Sequence, residues 1–357
     1  MSTPPKNGAV PHKKRLLTGL RPTGKFHLGN YVGTFEKDLE LQNSGEYECF
    51  FLIADYHTLT TGFETASAIG DDIREGVLDF LAVGIDPDKS TLYLQSLIPE
   101  VSELFLLFTM LVSATRAQRI PTLKEQIRDL KLDSASLGLL NYPVLQAADI
   151  LMVRGEVVPV GKDQMSHIEL TREVARRFNQ LYSPVFPEPE YLASRFPVLP
   201  GTGGEPKMSK SLGNTIMLSD DAETVRKKVM SMYTDPTRLR ATDPGHVKGN
   251  PVFVYHDAFN PNLEEVQDLK ARYVKGAVGD VEVKQKLVAA LNAFLDPIRE
   301  RRAEFERQPG LLEDILADGS RRARAEARDT LQRAREAMGL NYFPRARQTV
   351  DAMRSMP

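Results

Sequence analysis

The stretch RLLTGLRPTGKFHLGNYVG, Arg15 to Gly33, decides the fold. Its first six residues form a short apolar run that ends in a turn, as a buried strand does. Pro22, Gly24, Gly29 and Gly33 follow, and the chain then leads into a helix. Two further apolar runs predict strands, YECFFLIAD (Tyr47–Asp55) and STLYLQS (Ser90–Ser96). Between them, DDIREGVLDFLAVGI (Asp71–Ile85) has apolar residues at helical spacing, acids at its start and Gly84 near its end. Strands alternating with helices predict an α/β fold with a parallel sheet. Ligands of such sheets bind at the carboxyl ends of the strands, near the point where strand order reverses. The loops after Leu20 and Ile53 are therefore candidate site loops.

Further along, PEVSELFLLFTMLVSA (Pro99–Ala114) predicts a mostly apolar helix, buried or at a subunit interface. LLNYPVLQAADILMV (Leu139–Val153) predicts a helix or helix pair with Pro143 near an N-terminus. From Val157 to Asn179 the pattern is a strand, a turn at Gly161 and an amphipathic helix. After EPKMSKSLGN (Glu205–Asn214) the composition shifts to long charged helical patterns. The expected organisation is a disordered polar tail (1–13), a sheet domain (14–217) with a helical insertion at about 99–155, and a helical domain (218–357).

Bulk properties narrow the function classes. The chain has 357 residues, a formal net charge of −2, 41% hydrophobic and 26% charged residues. Such values fit a soluble globular protein of two domains. A nucleic-acid partner would have to be met by a local basic patch, because total charge does not announce one. The single cysteine, Cys49, excludes a disulfide framework and a multi-thiolate metal site within one chain, and points to a reducing, cytoplasmic compartment. The longest apolar run, Leu104–Val112, is too short to span a membrane. No dinucleotide or P-loop signature follows the first strand, and no protein-ligated metal is expected, although a nucleotide can bring its own Mg²⁺.

Two segments carry the chemistry. Glycines around His27 and Asn30 let backbone approach a ligand, and both side chains can donate to phosphate oxygens. The Lys/Ser string Lys207-Met208-Ser209-Lys210-Ser211, beside the flexible Gly201–Gly204, suits a polyphosphate gripped during reaction and then released. Taken alone, the first is equally a Gly-rich surface turn and the second a solvated loop. Together, H-x-G-N after the first strand and K-M-S-K-S about 180 residues later form the paired signature of class I aminoacyl-tRNA synthetases. With YPVLQAADILM and VPVGKDQMSHIELTREVARRFN, the chain resembles the bacterial tryptophanyl-tRNA synthetases from about Leu17 to Leu340.

The resemblance implies a Rossmann-like catalytic domain, a C-terminal helical domain for the tRNA anticodon, and a homodimer. It implies L-tryptophan, ATP with Mg²⁺, and tRNA(Trp) as substrates. His27, Asn30, Lys207 and Lys210 are then the catalytic residues. Arg21, Pro22, Thr23, Gly29, Asn30, Gly161, Lys162, Asp163, Val198 and residues Lys207, Met208, Ser209, Lys210 and Ser211 belong to the ATP site. Asp149 accepts the indole N–H, Tyr142 and Gln164 meet the ammonium group, and His57 and Gln146 line the pocket. Three residues depart from the family: Arg21 for a glutamine, His27 where many members have threonine, and Gln146 for a methionine. Glutamine at the last place is usual in tyrosine-specific relatives. Some members carry an iron–sulfur cluster, which one cysteine cannot hold. The arginines Arg301, Arg302, Arg321, Arg322, Arg324, Arg328, Arg333 and Arg335 read mainly as a solvated helix face.

Overall fold

The computed structural model describes residues 13–129, 134–161, 164–193, 198–240 and 242–342. The expected tail lies outside them, apart from Lys13. Five strands, β1 (Lys14–Leu20), β2 (Tyr47–Ile53), β3 (Ser90–Leu94), β4 (Val157–Val160) and β5 (Glu190–Ala193), form one parallel sheet in the order β3-β2-β1-β4-β5. The sequence pattern anticipates the first four. It misses β5, whose Glu-Tyr-Leu-Ala is four residues long with no apolar run.

Helices before β4 are α1 (Leu28–Asn30), α2 (Glu36–Ser44), α3 (Asp55–Gly62), α4 (Ile69–Val83), α5 (Glu100–Thr109), α6 (Ala114–Ala117), α7 (Pro121–Asp129) and α8 (Leu137–Met152). A π-helical turn, Tyr31–Phe35, joins α1 to α2 in one continuous run. Then come α9 (Met165–Leu181), α10 (Ala222–Met230), α11 (Pro251–Phe259), α12 (Leu263–Val274), α13 (Asp280–Glu306) and α14 (Leu311–Ala337). α8 starts two residues earlier than its apolar pattern, because Ser136 caps it by accepting from Leu139 N–H at 3.1 Å. Pro143 consequently sits inside the helix, not near its N-terminus.

Successive residues of β1 face opposite sides of the sheet. Leu16 joins one core with Phe26, Phe35 and Phe80, whose rings meet edge-on at centroid distances of 5.0–5.8 Å. Leu17 joins the other with Tyr93, Phe108, Ile150 and Phe178. β1 and β4 share one pair of partners, Leu16 with Val157. This is where strand order reverses, and the two strands separate beyond it. The separation opens the sheet at the carboxyl end of its central strand.

The helical segment after residue 217 packs on the sheet in two places. α14 lies along the edge strand β3: Leu94 N–H donates to Ser320 Oγ at 3.1 Å, and Arg322 donates to the carbonyls of Pro87 and Ser90. Gly319 lies so close to β3 that a Cβ would overlap the Leu92 carbonyl oxygen. Gly319→Ala is expected to destabilise the protein by about 1–3 kcal/mol through overpacking. An unchanged denaturant midpoint would contradict this contact.

α13 makes the second attachment. Arg302, 4% exposed, donates to Asp79 Oδ1 and to Glu75 Oε2, each at 2.5 Å. Asp79 Oδ2 accepts from Phe26 N–H at 2.6 Å. The solvated-face reading is therefore wrong for Arg302: a fully buried carboxylate on α4 needs a partner, and this arginine supplies it. Arg299 donates to the Asp220 carbonyl, and Asp220 Oδ2 accepts from Met217 N–H. One long helix thus braces both signature segments. The composition changes near residue 217, but the core runs across it, with Leu291 and Leu295 in the same cluster as Leu16 and Phe35. Among the described residues no helix is long and apolar enough to cross a membrane.

Candidate active site

A cleft of about 440 Å³ passes through the opening between β1 and β4. Leu17–Leu20 of β1 and Val158–Val160 of β4 line it. Beyond Leu20 the chain turns at Gly24, whose φ of +77° suits glycine. His27 then caps α1. Its Nδ1 accepts from Asn30 N–H at 3.3 Å, and Asn30 Oδ1 accepts from His27 N–H at 3.0 Å. Burial first, and Lys210 second, push the His27 pKa down to about 4. The imidazole is thus neutral at pH 7. With Nδ1 accepting, its proton sits on Nε2, and the ring donates from there.

The Lys/Ser segment closes onto this turn. Lys210 Nζ donates to Thr23 O at 2.6 Å and to Thr23 Oγ1 at 3.2 Å, 5.8 Å from the centre of the Phe26 ring. Gly29 N–H donates to Met208 Sδ at 3.3 Å. Ser209 N–H donates to Asn214 Oδ1, and Ser209 and Ser211 share a hydroxyl contact. Behind them Leu28 N–H donates to Ile216 O and Leu218 N–H to Phe26 O, both at 2.9 Å. Two segments far apart in sequence therefore form one structural unit.

The far end of the cleft is built by α8. Tyr142, Gln146, Asp149 and Ile150 fall on one helical face and line it, with His57 of α3. Asp149, 1% exposed, accepts from Gln95 Nε2 at 2.8 and 2.9 Å, one bond to each oxygen, and its Oδ2 lies 2.8 Å from His57 Nε2. A carboxylate offers about four lone-pair directions. Three are used, and the remaining one is on Oδ1. Tyr142 OH lies 2.8 Å from Thr122 Oγ1 and 3.3 Å from His167 Nε2.

Of the residues expected from sequence, the cleft wall includes Arg21, Thr23, Asn30, Gly161, His57, Tyr142, Gln146, Asp149 and Gln164. Pro22, His27, Gly29 and residues 207–211 are not in the wall. Val198 is 68% exposed and is not in it either. Lys162 and Asp163 lie outside the described residues. Arg21 donates to Thr61 Oγ1 at 2.5 Å, while its buried Nε has no partner and burial lowers its pKa. Sequence reasoning missed Gln95, the fully buried clamp on Asp149. Its signal was a polar residue ending an apolar strand.

Comparison with known proteins decides the family. Residues 11–296 match the tRNA synthetases class I (W and Y). The chain belongs to this family. The tryptophan–tRNA ligase of Treponema pallidum is 58% identical over 332 residues, 92% of this chain and 98% of that one. That of Chlamydia caviae is 50% identical, covering 94% and 98%. Among solved structures, Campylobacter jejuni tryptophanyl-tRNA synthetase, complexed with ADP and tryptophan, superposes on this synthetase with a TM-score of 0.80. It is 35% identical, with 91% of this chain and 99% of that one covered.

Proposed function

We propose that this synthetase activates L-tryptophan with ATP and transfers the tryptophanyl group to tRNA(Trp) for protein synthesis. The observation that carries the choice of amino acid is the identity of 58% and 50% with tryptophan–tRNA ligases over more than nine-tenths of the chain. A tyrosine-specific neighbour from Archaeoglobus fulgidus, at 23% identity, shares the fold alone.

The tryptophan carboxylate attacks the α-phosphorus of ATP, the α–β bridging bond breaks, and pyrophosphate leaves with the Mg²⁺ that ATP carried. There is no protein nucleophile, so the protein contributes positioning and electrostatics. His27 Nε2–H and the Asn30 amide donate to the transferring phosphate. Lys207 and Lys210 neutralise the leaving pyrophosphate from a segment that opens to release it. Arg21, Pro22, Thr23, Gly29, Gly161, Lys162, Asp163, Val198 and Met208–Ser211 complete the ATP site. At the other end, Asp149 accepts the indole N–H on its open lone pair, with His57 and Gln95 holding the carboxylate in place. Tyr142 and Gln164 receive the ammonium group, and Gln146 lines the ring pocket.

The helical segment from 218 reads the anticodon in this scheme. The chain works in the cytoplasm as a homodimer; the dimer reading is supported by three exposed apolar side chains, Leu106 on α5, Met110 just after it and Leu137 at the start of α8. The test is ATP–pyrophosphate exchange run separately with tryptophan and tyrosine. Exchange with tryptophan only is expected. A preference for tyrosine would restore the reading that Gln146 suggests.

A further inference from the structure

The turn that carries His27 is held from behind by a buried pair of charges. Phe26 precedes His27, and its backbone is tied down on both sides. Its N–H donates to Asp79 Oδ2 at 2.6 Å, and its carbonyl accepts from Leu218 N–H at 2.9 Å. Its side chain is buried and packs edge-on against Phe35 and Phe80. The Lys210 ammonium stands 5.8 Å from the centre of the same ring. Phe26 therefore supports His27 through the chain and Lys210 through its ring.

Asp79 is fully buried on α4, and Arg302 of α13 donates to its other oxygen. The same guanidinium reaches Glu75 Oε2 and the Glu75 carbonyl. Burial pushes the Asp79 pKa up, and the Arg302 charge is the main influence that pulls it back.

Stability alone does not account for such a pair. Apolar residues of similar volume often serve a core as well or better. What they cannot supply is an acceptor for Phe26 N–H at a fixed place. A carboxylate with one oxygen held by a planar guanidinium has its second oxygen aimed in one direction.

We propose that Arg302 and Asp79 are positioning residues for amino-acid activation. They fix the Phe26 peptide, and through it the His27 imidazole and the ring beside Lys210. Neither residue lines the cleft. The proposal rests on the synthetase reading above. It makes the rate of the chemical step, rather than substrate binding, depend on a residue of the helical segment after 217.

The test is rapid-quench measurement of adenylate formation from tryptophan and ATP, with denaturant unfolding of the same proteins. Arg302→Met alone leaves a buried carboxylate unpaired and should lose both stability and rate. Asp79→Leu combined with Arg302→Met removes both members of the pair. This double variant should be more stable than Arg302→Met, yet form adenylate about tenfold or more slowly than the wild type, because displaced catalytic groups cost rate. Its affinities for tryptophan and ATP should change little. Arg302→Lys keeps a buried cation without the planar fork and should slow the same step by about threefold or more. A folded double variant with the wild-type rate would overturn the proposal, since a purely structural pair predicts that result. If the double variant fails to fold, Arg302→Lys decides, and a wild-type rate there overturns the proposal as well. A wild type that forms no adenylate with tryptophan would instead overturn the synthetase reading on which the proposal stands.

Discussion

Lys210→Ala is expected to slow single-turnover activation of tryptophan by about 100-fold or more, with little change in tryptophan affinity. The Lys210 ammonium is half-buried and held by two neutral oxygens of Thr23. Burial lowers its pKa, and only the field of Asp72 and Asp79 offsets this. Among the described residues it makes no ion pair. A desolvated cation with neutral neighbours is poised for an anion. The reaction supplies one as charge builds on the departing pyrophosphate, so the interaction strengthens in the transition state. In the proposed scheme the amino acid sits at the Asp149 end of the cleft and does not meet this lysine. Rapid-quench measurement of adenylate formation separates the two effects. A normal rate in the alanine variant would falsify the role given to Lys210.

Asp149→Ala should lower kcat/KM for tryptophan and narrow its margin over phenylalanine by about one to two decades, leaving KM for ATP nearly unchanged. Apolar walls reject a smaller ring weakly, whereas a buried acceptor is left unpaired when the indole N–H is missing. A hydrogen bond to a charged acceptor contributes about 1.5–3 kcal/mol, which sets this range. Gln95 and His57 hold Asp149 rigidly, so the acceptor cannot turn to another partner. The same substitution strips both clamps of their acceptor and lowers stability, so thermal unfolding must be followed beside the kinetics. Retained discrimination in a folded Asp149→Ala protein would remove Asp149 from the indole site.

Much of this site was legible in the sequence. Strands β1 to β3 and the turn at His27 could be read because their apolar runs and glycines are local signals. Asp149 stood out as an acid in an apolar helix. The K-M-S-K-S string marked the segment that packs onto the His27 turn, although Val198 before it proves exposed rather than part of the cleft wall. What could not be read depends on partners distant in sequence. Gln95 acquires meaning only when Asp149, 54 residues later, meets it. Arg302 looks solvated until Asp79, 223 residues earlier, draws it inward. β5 was lost because four residues carry too little periodicity.

The contact between α14 and β3 also has a consequence for how the chain is made. Leu94 and Ser320, joined by a hydrogen bond, are 226 residues apart. At 5–20 residues per second, a ribosome takes roughly 10–45 s to make the intervening chain. Throughout that interval β3 is an unprotected sheet edge, open to pairing with another nascent chain. The last long helix is therefore also the lid that ends this exposure. Variants that loosen α14 should show themselves first in the yield of soluble protein during synthesis at high expression, before any defect in the catalysis of molecules that have already folded.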